Sequence, residues 1–313
     1  MNGSLRLVRA MALALILSII LVHTCGAQTD MPDSAASLNM RDNEIRICNA
    51  ILSTFSDVMS PDERTILQEI ELRIPMDYDL TRVIAYRQGG RVIEISFGFF
   101  GTMVDASNNY ALAEYYSPRD PDIYNKYEAY YKYLNDAIDQ NEQSIGENHP
   151  KLQRFAEFAG IPAETQTQIM SQSDVRDFQV KLLFSAIAYV LAHEIGHHVL
   201  GHVDAPPAAT AAESRERESQ ADQYAFALTM RAGFTAFGVL PALAFFEAAE
   251  GKAADPDASH PLAYCRIFGA WMYTLDQLAA DKKFAPLFEK APGMLPGAPQ
   301  YNALKAKLAL DCP

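Results

Sequence analysis

The chain is poor in cysteine, with four, and in tryptophan, with one, and none of the cysteines stands in C-x-x-C spacing. Cysteine-ligated metal centres and thioredoxin-like dithiol chemistry are thereby disfavoured. Positive charge is also scarce, since 26 Lys and Arg stand against 39 Asp and Glu, for a formal net charge of −13. Nucleic acid and anionic membrane surfaces are poor partners for such a chain. Internal repeats are missing, and a 49% apolar content over 313 residues is ample for a core, so the composition does not indicate disorder. A membrane span needs about 20 apolar residues. The apolar runs at 10–22 and 182–192 both fall short of that length.

At the N-terminus, Arg6 and Arg9 precede the run at 10–22, and small residues follow at Cys25 and Ala27. This is the pattern of an export signal, with cleavage expected after Ala27 and a periplasmic or cell-envelope location for the product. An uncleaved N-terminal anchor and a lipoprotein site at Cys25 are the alternatives, the latter disfavoured by His23 and Thr24 before it. These are the only membrane attachments expected. Cys48, Cys265 and Cys312 survive cleavage, and either a disulfide among them or three buried thiols fits the sequence.

Residues 28–313 are expected to form one α+β domain, mainly helical. Apolar spacing predicts helices at 43–59 and 62–72. In "TRVIAYRQGGRVIEISFGFF" two β-rich runs flank Gly89 and Gly90, which predicts a hairpin. The Tyr-rich stretch 110–175 reads as an insertion with helical aromatic stripes. Packing is the expected role of its tyrosines, and its position before the next long helix also makes it a candidate lid. That helix is predicted over 178–203, with an N-terminal half apolar nearly all round and therefore buried. After a Pro/Ala loop, helical spacing returns in "RERESQADQYAFALTMRAG" and stops at Gly233. Further helices are expected over "FGVLPALAFFEAAEG", after Ser259 as N-cap with Pro261 in the first turn, and at the C-terminus.

Four of the seven histidines crowd into "YVLAHEIGHHVLGH". His193 and His197 are four apart, so their imidazoles project from one helix face towards one point. Glu194, about 100° round the helix, can reach a water held there, which is the H-E-x-x-H arrangement of zinc peptidases. A catalytic zinc takes three protein ligands and keeps a position open. Glu218 is the candidate third ligand, with Asp222 four residues on as acceptor for a liganding imidazole. Glu213 and Glu216 compete less well, because neither has an acid four residues later. His198 and His202 face elsewhere and are expected to interact with the negative end of the helix dipole.

"HEIGHHVLGH", "ESQAD", "GGRVIEISFG" and "SHPLAYCRI" together resemble the M48 family of gluzincin metallopeptidases over roughly residues 80–275. The resemblance implies a zincin-like fold with a small hairpin or sheet beside the active-site helix. It implies one Zn2+ per chain on His193, His197 and Glu218, with Glu194 as general base. His260 is implied as a donor to the oxyanion, and Arg266 as a partner of the oxyanion or of Asp222. The hairpin departs from the family pattern at Gln88, where a proline is usual, and 110–175 has no evident M48 counterpart. The expected function is an exported zinc endopeptidase acting on unfolded or misassembled envelope proteins. The alternative is a proteolytically silent, zinc-binding chaperone-like or scaffold protein.

Overall fold

A computed structural model describes residues 35–77, 82–143 and 153–234, with scattered positions between 265 and 306. The first helix, α1 (Ala35–Val58), begins well before the predicted 43. Ser60 then caps α2 (Pro61–Gln68): its hydroxyl accepts from the Glu63 amide while the Glu63 carboxylate accepts from the Ser60 amide. The predicted helix 62–72 is thus too long. Its last residues form strand β1 (Ile70–Arg73), because the β-branched Ile70 and the apolar Leu72 alternate with Glu71 and Arg73 and pair in parallel with a later strand.

The hairpin forms as expected from β2 (Val83–Arg87) and β3 (Arg91–Ile95), paired antiparallel, and the sheet order is β1-β3-β2. Central β3 buries Val92, Ile93 and Ile95. The apolar FGFF that follows is helical, because Ser96 accepts from the Phe99 amide and starts α3 (Phe97–Tyr116). Next come α4 (Ile123–Gln143), α5 (Phe155–Phe158) and α6 (Ala163–Met170). The tyrosines of this stretch pack: Tyr127, Tyr130 and Tyr131 are buried, and Tyr127 meets Phe155 edge to face at 5.6 Å.

Helix α7 (Ser173–Val199) runs through the middle of the molecule. By length and composition it is the one described helix apolar enough to cross a membrane, but 83% of that apolar window is buried inside the protein. α3, the sheet and α8 (Ala211–Arg231) surround it, and α8 is its most extensive partner. Thr210 caps α8 by accepting from the Glu213 amide. Cys48 is a free, buried thiol, and Cys265 is disulfide-bonded. Of the later predicted helices, "FGVLPALAFFEAAEG" lies outside the described residues, as do the signal segment, Ser259 and Pro261.

Candidate metal centre

Two features of sequence bring α7 and α8 close enough to share a site. Gly196 lacks a side chain where α8 crosses: a Cβ there would stand 3.2 Å from Tyr224 Cδ1 and 3.3 Å from Ala221 Cα and its carbonyl oxygen. Ala221, on the other helix, is itself small. The backbones therefore approach closely at the turn that carries His193 and His197. Helical periodicity does not single out Gly196, although a glycine inside an otherwise strong helical pattern signals close packing.

Across this contact His193 Nε2 and His197 Nε2 lie 3.1 Å apart. Glu218 presents Oε2 at 3.3 Å from His193 Nε2 and Oε1 at 3.5 Å from His197 Nε2. The three donors form a cluster able to hold a metal ion. Ligands about 2.0–2.1 Å from a tetrahedral metal stand about 3.3–3.4 Å from one another, so the three separations fit the edges of such a site. Burial, with the neighbouring His193 ring second, pushes the His197 imidazole down to about 3. Its ring is therefore neutral near pH 7, as a metal ligand must be.

Behind His193, the buried Asp222 places Oδ1 2.8 Å from Nδ1 and accepts from the Tyr189 hydroxyl at 2.8 Å. With the Nδ1 proton bound to a carboxylate, the Nε2 lone pair points at the centre, which is the role expected for Asp222. Tyr189, one turn before His193 on α7, is the addition the structure makes. Glu194 is buried beside His193. The rival carboxylates are engaged elsewhere: Glu213 accepts from the Ala209 amide and pairs with Arg217, and Glu216 accepts from Gln220. His260 and Arg266 lie outside the described residues.

The expectation for His198 and His202 needs correction. His198 is buried, not at a solvated helix end, and its Nε2 donates to the Val92 carbonyl of β3 at 3.0 Å. Burial lowers its pKa, so it gains little from the helix dipole and acts as a neutral donor. Arg91 adds a bond to the His198 carbonyl at 3.4 Å and pairs with Asp204 at 3.0 Å, so the sheet is fastened to the end of α7. His202 turns back on His197, with Nδ1 3.1 Å from His197 Nδ1.

A comparison with protein families matches residues 96–282 to the family described as Peptidase U49. The chain belongs to that family. Its members are classed as peptidases, so a protease is supported at that level, and the match spans both the metal cluster and the Tyr-rich stretch. The match shows a peptidase family and does not reach as far as M48 specifically. No curated protein and no solved structure matches the chain.

Proposed function

We propose that this peptidase is a zinc metalloendopeptidase of gluzincin type, with a zincin-like active-site helix in α7. The observation that carries the reading is the convergence of two imidazole nitrogens and a carboxylate at tetrahedral spacing, beside the buried Glu194. Two nitrogens and one oxygen suit zinc, and such a set leaves a fourth position for water. The likeness of "HEIGHHVLGH", "ESQAD" and "SHPLAYCRI" to M48 motifs supports the same reading.

Bound there, zinc supplies a water acidic enough to ionise near neutral pH and polarises the scissile carbonyl. With zinc held by His193, His197 and Glu218, Glu194 would take a proton from the attacking water and return it to the leaving amine, so that no proton would be stranded in a buried site. Asp222 and Tyr189 hold His193 in place throughout. The likeness of "SHPLAYCRI" to the M48 motif assigns His260 as donor to the oxyanion and Arg266 as a partner of the oxyanion, of Asp222 or of another acid. The substrate is a polypeptide in extended form. β2 is an edge strand among the described residues, and its register leaves the backbone groups of Val83, Ala85 and Arg87 directed away from β3, open to a substrate strand. The basic and apolar N-terminus supports export, which makes unfolded or misassembled envelope proteins the natural substrates and the periplasm or envelope the place of action.

Digestion of casein by residues 28–313, beside a Glu194→Gln variant with equal zinc content, tests the reading. Cleavage lost in the variant alone supports it. Equal cleavage by both removes Glu194 from the mechanism, and silence of both zinc-loaded proteins favours the scaffold alternative.

A further inference from the structure

The two metal-facing histidines are supported differently, and only one of the supports was expected. His193 leans on a buried carboxylate. His197 leans on His202, brought there by the way α7 stops. Gly201 has φ +75°, a conformation that suits glycine, and in this turn the His202 amide donates to the His197 carbonyl at 2.9 Å and the Gly201 amide to the His198 carbonyl at 3.3 Å. These are the two bonds of a Schellman stop, which folds the second residue past the helix onto the third from its end. Backbone and side chain of His202 therefore both meet His197.

The direction of the side-chain bonds can be worked out from the outside inward. Glu216 is acceptor-only as a carboxylate, and the Gln220 amide nitrogen donates to it at 2.9 Å. That leaves the Gln220 carbonyl oxygen facing His202 Nε2 at 3.1 Å, where it can only accept. His202 Nε2 thus carries the proton, and in a neutral imidazole the other nitrogen then accepts. His202 Nδ1 faces His197 Nδ1 at 3.1 Å, so the proton between them belongs to His197. His197 Nε2 is left with a free lone pair, directed at His193 Nε2 and Glu218.

We propose that His202 is a positioning residue for the metal centre: it holds the proton of His197 on Nδ1 and fixes the ring so that Nε2 is the ligand atom. The Gln220 and Glu216 side chains set its own tautomer. The inference rests on the metal-centre reading above, since a cation between the Nε2 atoms is what lets His193 and His197 both keep their protons on Nδ1. An isolated neutral histidine prefers its proton on Nε2, so the proposed state of His197 runs against the intrinsic preference.

The test uses residues 28–313 as wild type, His202→Phe, His202→Asn and His193→Ala. Phe keeps the ring shape without an acceptor, whereas the Asn side-chain oxygen occupies nearly the position of Nδ1. Two quantities are measured: the His197 tautomer by imidazole 15N shifts in zinc-loaded protein, and zinc affinity by chelator competition. The expected results are a proton on His197 Nδ1 in wild type and in His202→Asn, and zinc binding weakened about 10- to 100-fold in His202→Phe and restored in His202→Asn. A wild-type His197 that binds zinc through Nδ1, with its proton on Nε2, overturns the proposal, and this holds even if the Phe variant fails to fold. Equal zinc affinity of His202→Phe and wild type, or equal weakening by Phe and Asn, overturns it too. If wild type binds zinc no better than His193→Ala, the metal-centre reading fails and this inference with it, whereas tight wild-type binding left unchanged by His202→Phe overturns the role of His202 alone.

Discussion

His197 and His198 are adjacent in the chain, yet the first turns towards α8 and the second towards β3. On the α8 side an imidazole finds another imidazole and a carboxylate at about one tetrahedral edge, with nothing apolar between them. On the β3 side it finds a backbone carbonyl in a buried setting, to which Nε2 donates, while the buried Nδ1 meets no hydrogen-bond partner among the described residues. The same side chain is placed to ligate a metal in one direction and is a strut in the other, and the element packed opposite decides which. Substitutions on the two sides should therefore separate: metal and activity on one, stability on the other.

The largest effect is expected at Glu194. Glu194→Gln should lower kcat/KM by about 10²- to 10⁴-fold with zinc content unchanged, because it removes a proton acceptor and no ligand; elemental analysis beside the casein assay checks both halves. Next is Asp222→Ala, which releases the ring of His193 and removes an acceptor of the Tyr189 hydroxyl. Zinc affinity should fall about 10- to 100-fold, read by chelator competition, and stability should fall as well. Gly196→Val breaks the comparison by moving α8 itself. With backbone atoms of Ala221 already 3.3 Å from a Cβ, denaturant unfolding should report a loss of about 1–3 kcal/mol, and zinc binding should weaken with it.

His198→Leu sharpens the contrast from the other face. The Val92 carbonyl loses the imidazole donor but keeps its place in the β2–β3 ladder, so unfolding stability should drop by about 0.5–1.5 kcal/mol while zinc affinity and casein cleavage per folded molecule stay the same. The smallest effect is expected for Glu213→Ala, a carboxylate on the same helix as Glu218 but tied to Ala209 and Arg217: a slight fall in Tm, and no change in zinc.

Much of the site was legible because the α-helix fixes which residues share a face. Four-residue spacing aimed His193 and His197 at one point, and Glu218 with Asp222 at another, before any coordinates. What joins these two pairs is tertiary, and it hung on Gly196, whose effect is felt only once Ala221 lies opposite. The helix stop was half legible: "LGH" marks a glycine-terminated helix, but that His202 returns to His197 follows from the turn's hydrogen bonds. His198 was misread because helix ends are usually solvated, whereas the sheet covers this one. The short helix at 62–72 overran for a similar reason, since the partner of β1 is more than fifteen residues away in sequence and local periodicity cannot see it. The hairpin needed no such partner and was read correctly.

The central claim is that the α8-facing histidines form a metal centre and the β3-facing one does not. Zinc per chain, measured on wild type, His193→Ala and His198→Ala after equilibrium dialysis, tests it most directly. The account predicts one zinc in wild type and in His198→Ala and none in His193→Ala. Zinc retained by His193→Ala, or lost from a folded His198→Ala, would contradict it.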